Sequence, residues 1–399
     1  MANTILTPTQ VTREALRILH NKLTFVGSIN RQYDSSFAKA GAKIGSQLKV
    51  RLPNQYTVRS GATLSAQDIT EDSATITVAT QKGVDVEFTS VELTLALDDF
   101  AKRILEPAMS VLAANIEADA FNMYKDVYNL VGVAGTTPAT LRVFLDARAR
   151  LNQFLTPKDN RRNVVINSDA MAATVDALKG LFQDSSAIAK QYKDGILGKT
   201  GGFTFWENEI VPMHTCGTRD NTTPLVNGAS QAGASLICDG FDASVTVKQG
   251  DVFTLAGVYA VNSETKQAYS FLQQFTVTAD VTLSGTGTGT LSISPSIVTS
   301  GATQNVSAGP ADNAALTFVG TASTAYPMNI AYHEDAFALV TADLEMPKGV
   351  DFAAREVFDG ISMRIVRQYV IANDKFPCRI DVLYGYKAVR PQLACRIIG

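Results

Sequence analysis

The spacing of apolar residues near the N-terminus predicts an amphipathic helix. The helix begins near Thr7, and Pro8 occupies its first position, where proline is favoured. Its apolar residues recur at three- and four-residue intervals and are Val11, Ala15, Leu16, Ile18 and Leu19. We interpret residues 1–45 as an N-terminal arm, the first forty residues of which carry a net charge of +3.

Residues 46–93 follow a period of two, which predicts extended strands. The alternation covers 48–52, returns at 75–78 and 84–88, and is interrupted by a turn at Ser60-Gly61. We interpret the segment as one long hairpin. Because an isolated two-stranded ribbon is marginal in water, we expect this hairpin to become ordered by lying against an adjoining copy of the chain.

Residues 94–137 return to helical spacing. Asp98 is a suitable N-cap for a short helix that ends at about Leu105, because Pro107 is not tolerated inside a helix. A long helix is then predicted from Pro107 to about Leu130, where glycines follow and stop it.

Residues 138–216 and 329–399 are typical of a mixed α/β body. Helices are predicted at 140–154 and 168–181, with a possible short helix at 351–356. Strands are predicted at 163–166, 203–206, 361–370 and 379–384.

The segment 217–328 differs from both of its flanks and is interpreted as an inserted domain. It has three basic and seven acidic residues, so its net charge is −4. Short strands are predicted at 245–247, 252–255, 272–277, 281–283 and 291–293, separated by stretches rich in glycine, serine and threonine such as 284–290. Such regular spacing favours a small β-barrel or sandwich.

The composition favours self-assembly of the chain, because the fraction of charged residues is low. Hydrophobic residues make up 46% of the 399 residues, whereas charged residues make up only 18%, against roughly 25% in an ordinary soluble domain. The net charge of −3 argues against a protein whose main work is to grip nucleic acid, which needs a strongly basic face. We expect neither a targeting signal nor a membrane span.

The motif search gives no enzyme signature. Gly198-Lys199-Thr200 imitates the end of a phosphate-binding loop, but Lys193 stands where the first glycine is needed. His333-Glu334 lacks the second histidine of a zinc protease, because that position is Phe337. His214 and Cys216 are two possible metal ligands without partners at metal-site spacing.

No G-x-S-x-G sequence occurs, so no nucleophile elbow is signalled. We therefore predict no catalytic, cofactor-binding or metal-binding residue and no cofactor. The four cysteines, which are Cys216, Cys238, Cys378 and Cys395, are too widely spaced for a disulfide framework and are expected to be reduced thiols.

The order of these segments resembles the Hong Kong 97-type major capsid proteins of tailed bacteriophages. The inserted β segment narrows the resemblance to the coat protein of the short-tailed phage P22 and its relatives. Val247-Lys248-Gln249-Gly250-Asp251, followed by Ala256-Gly257-Val258, is similar to the hairpin of that family's insertion domain. Tyr384-Gly385, Ala388 and Arg390-Pro391 are similar to its C-terminal strand.

The resemblance implies an α+β fold of the Hong Kong 97 type with an inserted all-β barrel. The parts would be an N-terminal arm at 1–45, an E-loop hairpin at 46–93 and the spine helix of the peripheral domain at 94–137. The peripheral and axial body would comprise 138–216 and 329–399, and the inserted barrel 217–328.

The implied function is self-assembly into pentamers and hexamers of an icosahedral shell that encloses double-stranded DNA. The implied place is the virion capsid, assembled in the host cytoplasm. The implied partners are other copies of the chain, a scaffolding protein, a portal, and DNA by weak non-specific contact. Two alternatives stay open, a surface adhesin built on the insert and an enzyme with an inserted lid. The size of the shell and the host are not predicted.

Overall fold

Strands dominate a mixed α+β fold. The computed structural model describes residues 8–33, 46–59, 61–64, 66–67, 71–89, 104–178, 197–219, 224–372 and 375–399. The α-helices of these residues are α1 Pro8–Lys22, α2 Glu106–Phe121, α3 Leu141–Gln153 and α4 Ser168–Leu178. The strands are β1 Asn30–Tyr33, β2 Ser46–Arg51, β3 Ser73–Val78, β4 Thr80–Thr89, β5 Leu130–Gly132, β6 Arg162–Ile166, β7 Lys199–Thr200, β8 Phe203–Glu207, β9 Met213–Thr215, β10 Leu225–Val226, β11 Gly233–Asp239, β12 Thr246–Val247, β13 Val252–Val261, β14 Ala268–Val277, β15 Val281–Thr282, β16 Gly289–Ile297, β17 Leu316–Phe318, β18 Ala325–His333, β19 Phe337–Ala342, β20 Phe352–Phe358, β21 Ile361–Arg367, β22 Lys375–Ala388 and β23 Ala394–Ile398.

The chain divides into two compact units. The first comprises Met1–Val50, Ser73–Phe121 and Phe337–Val389, and the second comprises the remaining residues. The stretch 329–399, predicted as part of one body, is therefore divided between the two units. No described helix is long and apolar enough to cross a membrane, and the four cysteines are buried free thiols, as predicted.

The first unit is a six-stranded sheet that carries α1. Five strands follow the order β1-β19-β22-β21-β20, and β4 pairs with β22. The predicted apolar face of α1 is confirmed, since Ala15, Leu16 and Leu19 are almost completely buried. The helical part of the arm therefore belongs to the core of this unit.

The predicted hairpin is only partly correct. β2 pairs with β3 as expected, but 84–88 belongs to β4, which pairs with β22 in the sheet. The reason is backbone hydrogen bonding, because a ten-residue ladder with β22 satisfies the backbone of β4 better than a free ribbon could. Ser60, predicted in the turn, lies outside the described residues.

The predicted long helix ends earlier than expected. It begins at Glu106 but ends at Phe121, after which Asn122–Asp126 form a 3₁₀ turn and Leu130 enters β5. Apolar residues continue beyond the end of this helix, because Met123, Tyr124 and Val127 are buried. Their burial in the core, and not a helix, explains why the apolar pattern extends to about Leu130. The short helix predicted from Asp98 lies outside the described residues except for its last positions.

The short helix predicted at 351–356 is wrong, because these residues form most of β20. β20 and β21 are paired in antiparallel register from Phe352 to Phe358. The turn between them consists of Asp359 and Gly360, with φ values of 49° and 78°. Two consecutive positive φ angles are typical of a tight hairpin turn, and the hairpin overrides the helical preference of the alanines in β20.

The second unit contains a seven-stranded sheet. Its order is β5-β23-β18-β6-β8-β7, with β9 beside β18. The helix predicted at 140–154 and the strands predicted at 163–166 and 203–206 are confirmed as α3, β6 and β8. Residues 179–181, predicted as the end of α4, lie outside the described residues. The core against α3 includes Phe144, Leu151, Val164, Phe205, Cys395 and Ile397.

The segment 217–328 has its own sheet and its own core. Its main sheet follows the order β10-β11-β16-β14-β13-β17. Backbone bonds also join the two outer strands, from Val226 N–H to Ala314 O at 3.0 Å and from Leu316 N–H to Pro224 O at 2.8 Å. The core is formed entirely by residues of the segment, including Leu236, Phe253, Phe275, Leu291 and Leu316.

The glycine-rich turn 284–290 contains a glycine that no other residue can replace without displacing its neighbours. Gly287 has a φ of +71°, and a Cβ there would lie 1.8 Å from the carbonyl oxygen of Phe241. By contrast, a Cβ on Gly285 would meet nothing within 4 Å.

We predict that Gly287→Ala destabilises the protein by at least about 1–2 kcal/mol, since the left-handed backbone alone costs that much for a residue with a Cβ. Gly285→Ala is the matched control and should change the free energy of unfolding by less than about 0.5 kcal/mol. Urea unfolding measures both. Equal effects of the two substitutions would show that the contact with Phe241 does not hold the turn.

Candidate functional site

Arg396 is completely buried in the second unit. It lies on β23 between Cys395 and Ile397, which belong to the core against α3. Because side chains alternate along a strand, Arg396 projects from the opposite face of the sheet. We call Arg396 and the four buried side chains connected to it the junction, which comprises Tyr124, His214, Arg219, Asp251 and Arg396.

The guanidinium of Arg396 joins three separate segments. It donates to the carbonyl oxygens of Val127 and Gly250, both at 2.6 Å, and to the hydroxyl of Thr276 at 2.9 Å. The ring of Tyr124 lies 5.6 Å from it. Burial lowers the pKa of Arg396 to about 10, so the group remains charged at neutral pH. The guanidinium of Arg396 thus connects the C-terminal strand β23 to the turn after α2 and to the segment 217–328.

Asp251 is the anion of the junction. Its Oδ1 lies 3.0 Å from His214 Nε2, and its Oδ2 accepts from Arg219 at 3.3 Å. The backbone amides of Gly217 and Lys248 also donate to Oδ2, at 3.2 and 3.0 Å. Burial alone would raise the pKa of Asp251, but the hydrogen bond from His214 and the charge of Arg219 hold it below its ordinary value.

His214 links Asp251 to Tyr124. Its Nδ1 lies 3.0 Å from the Tyr124 hydroxyl. Burial raises the pKa of Tyr124 to about 12, so this hydroxyl keeps its proton at neutral pH and is available as a donor. Both ring nitrogens of His214 are therefore satisfied, Nδ1 by Tyr124 and Nε2 by Asp251.

The turn that presents Asp251 requires glycine at position 250. Gly250 has a φ of +96°, and a Cβ there would lie 3.0 Å from the ring of His214 and 3.2 Å from Lys125. Its N–H donates to Val277 O at 2.8 Å, while its carbonyl oxygen accepts from Arg396. The motif 247–251, noted above for its resemblance, is therefore the part of the insert that the junction holds.

β14 makes further contacts with the residues around the junction. The side-chain amide of Gln274 both accepts from the N–H of Leu130 and donates to its carbonyl oxygen, each at 2.9 Å. The hydroxyl of Thr276 donates to Lys125 O at 2.9 Å, and that of Tyr269 donates to Gln153 O at 2.8 Å. Polar side chains of β14 thus form hydrogen bonds with backbone groups of Lys125, Leu130 and Gln153, as a neighbouring strand would do with its backbone.

The donor atoms of His214, Cys216 and Asp251 lie within 4.8 Å of one another. The donor set nevertheless does not fit a metal ion. His214 and Asp251 already bond to each other, burial raises the pKa of the Cys216 thiol, and Arg219 supplies a positive charge to the same carboxylate. Sequence reasoning found His214 and Cys216 but missed Asp251, because only tertiary structure brings it to them.

The other sequence candidates have structural roles among the described residues. Lys199 and Thr200 form β7, a short strand paired with β8, and the glycines that follow make the turn between the two. His333 is buried and lies 2.9 Å from the carboxylate of Asp159. Phe337, at the position where a protease would need histidine, is buried in β19.

Apolar side chains are exposed on the loop between β2 and β3. We call the described residues of this loop, which are 52–59, 61–64, 66 and 67, the interface loop. Val58 is 92% exposed, Leu64 is 82% exposed and Tyr56 is 55% exposed. Three large apolar side chains are thus exposed within residues 56–64.

We predict that Asp251→Asn lowers the stability at pH 7 by about 3–5 kcal/mol, because it leaves Arg219 buried without its anion. The native pKa of Asp251 lies below 3.8, so the contribution is fully present above about pH 4 and is lost as the pH falls through the native pKa. The gap between the variant and the wild type should therefore narrow only below about pH 4.

Denaturant unfolding at several pH values measures this gap. Asp239→Asn is the matched control, because Asp239 lies in β11 on the face opposite the buried Cys238. A gap that is equally wide at pH 3 and pH 7 would contradict the assigned role of Asp251.

Comparison with known proteins identifies the family. Residues 9–399 match the family model described as P22 coat protein, gene protein 5. No curated protein sequence matches the chain. A solved structure from Mycobacterium phage Che8 is 13% identical, with 94% of this chain and 90% of that chain covered and a TM-score of 0.47.

Two other solved structures are similar over different lengths. The mature capsid of bacteriophage PhiM1 is 11% identical, with 94% of this chain and 86% of that chain covered and a TM-score of 0.42. The coat protein I-domain of CUS-3 is 30% identical, with 24% of this chain and 95% of that chain covered and a TM-score of 0.19. Since the family model spans nearly the whole chain, the chain belongs to the P22 coat protein family and is a major capsid protein.

Proposed function

We propose that copies of the chain assemble into pentamers and hexamers of an icosahedral shell that encloses double-stranded DNA. The observation that carries this proposal is the interface loop, whose large apolar side chains are not covered by their own chain. Rings of five and six need contacts between unlike surfaces of neighbouring subunits. A loop with exposed apolar side chains is suited to such a contact.

β3, the strand that follows the interface loop in the chain, is fixed within the first unit. Ala74, Ile76 and Val78 of β3 are buried. A Cβ on Gly385 would lie 2.3 Å from the carbonyl oxygen of Thr77, so glycine at 385 permits β3 to cross β22 closely. We therefore restrict the expectation that a neighbour orders the hairpin to the interface loop itself.

The subdivision into arm, E-loop, spine helix, peripheral and axial domains and inserted barrel belongs to the same proposal. The backbone bonds between 224–226 and 314–316 support a closed barrel for the insert. Its separate core supports a role in nucleating the fold of the subunit. The junction supports a fixed attachment of the barrel to the surrounding sheet.

A scaffolding protein, a portal and packaged DNA are the other proposed partners, and the virion capsid, assembled in the host cytoplasm, is the proposed place. The side chains of Arg13 and Arg17 on α1 are 71% and 59% exposed, which supports α1 as a contact for a scaffolding partner. The low overall charge supports only weak contact with DNA. The adhesin alternative is not favoured, since the family match extends far beyond the insert.

We predict that residues 217–328 expressed alone fold and unfold cooperatively, because their core needs no residue from outside. Thermal unfolding followed by circular dichroism measures this. A spectrum typical of a disordered chain would reject an independently stable insert.

We predict that the overexpressed protein forms round shells in electron micrographs and that Val58→Asp reduces their yield at least tenfold. A charge buried without a partner costs several kcal/mol, so the added charge should oppose docking against a neighbour. Val58 is exposed in the single subunit, so the substitution should not disturb the fold. Gln55→Asp, which places the same charge at another exposed position of the loop, should assemble normally. Small particles or filaments from the wild type would contradict the shell.

A further inference from the structure

The interface loop is closed internally by one side chain. Gln67 Oε1 accepts from the backbone N–H of Thr57 at 2.8 Å, and Gln67 Nε2 donates to the backbone carbonyl oxygen of Thr57 at 2.6 Å. The Thr57 hydroxyl also donates to Oε1 at 3.0 Å. An amide that exchanges two hydrogen bonds with one residue imitates the pairing of an antiparallel strand.

A second set of bonds shapes the loop beyond this closure. Arg59 donates to the carbonyl oxygens of Gly61 and Thr63, the latter at 3.1 Å. Gly61 has a φ of +94°, and a Cβ there would meet nothing within 4 Å. Arg59 is the one ionisable side chain of the interface loop that could bind an anion, and it is turned back on the loop's own carbonyls.

We propose that Gln67 is a positioning residue that holds the interface loop in its docking conformation before assembly, with Val58 and Leu64 as anchors for a second copy of this chain. This inference rests on the proposed function, because it names how the loop is prepared for its partner. The loop exposes three large apolar side chains, and its cation is bonded to the loop's own carbonyl oxygens, so an apolar protein surface fits it better than nucleic acid does.

The physical advantage of the closure is that the loop is ordered in advance. A flexible loop must lose backbone and side-chain freedom when it docks, and that cost reduces the affinity and the rate of productive encounters. Because of the bonds between Gln67 and Thr57, the loop loses part of this freedom when the subunit folds, before it docks. The exposure of Val58 and Leu64 then follows from the fold, without any contact with a neighbour.

The experiment compares Gln67→Ala, Gln67→Glu and the control Gln267→Ala, whose side chain is exposed and lies outside the interface loop. Hydrogen exchange of the Thr57 amide is measured in unassembled subunits, and the rate of shell formation is measured by light scattering. Gln67→Ala removes both backbone bonds and should raise the exchange rate roughly tenfold and slow assembly at least severalfold. Gln67→Glu loses the donor and keeps an acceptor, so intermediate values are expected. Gln267→Ala should leave both quantities unchanged.

The outcomes separate this inference from the proposed function. Exchange at Thr57 that is equally fast in the wild type and in Gln67→Ala would overturn the inference even if both form shells. Faster exchange with an unchanged assembly rate would overturn it as well, because the closure would then not matter for docking. A wild type that forms no shells would instead overturn the proposed function, whatever the exchange rates show.

Discussion

The buried guanidinium of Arg396 is the interaction on which the second unit depends. A cation taken out of water costs several kcal/mol unless good partners replace the lost solvent. Here the replacements come from the turn after α2, from Gly250 and from Thr276. None of these partners lies near Arg396 in sequence, so the cation is satisfied only when the insert and its surroundings are both in place. The junction thereby couples the position of the insert to the completion of the sheet.

The anion of the junction, Asp251, also connects the segment 217–328 to its surroundings. Asp251 compensates Arg219 and is held by His214 and two backbone amides. The side chains of Asp251, Arg219 and His214 are buried, so removal of any one of them leaves an uncompensated polar group in the interior. The bond between His214 of β9 and Asp251 attaches the segment 217–328 to the neighbouring sheet. The interface loop shows the reverse arrangement, because its apolar side chains are exposed to water, whereas the charged side chains of the junction are buried.

The sequence predicted the periodic elements well and the long-range pairings poorly. α1, α3, β6 and β8 were predictable, because each is a short segment whose own spacing matches one buried face. β4 was assigned to the wrong partner, because alternation shows that a strand exists but not which strand it pairs with. The end of α2 and the residues of β20 were wrong where tertiary burial or hairpin pairing overrode local preference.

The site was less predictable than the fold. His214 and Cys216 stood out as a pair, and the motif 247–251 stood out by its resemblance, but nothing in the spacing joins them to each other or to Arg396. A buried arginine two residues from the end of a strand has no signature in a single sequence. The exposure of Val58 and Leu64 was likewise not predicted, because both residues lie between the alternating stretches 48–52 and 75–78.

The most direct test of this account is a density map of the assembled particle at side-chain resolution. The account predicts that Val58 and Leu64 are buried against an adjoining subunit while the bond between Gln67 and Thr57 is retained. An interface loop surrounded by solvent, or folded back over its own subunit, would contradict it.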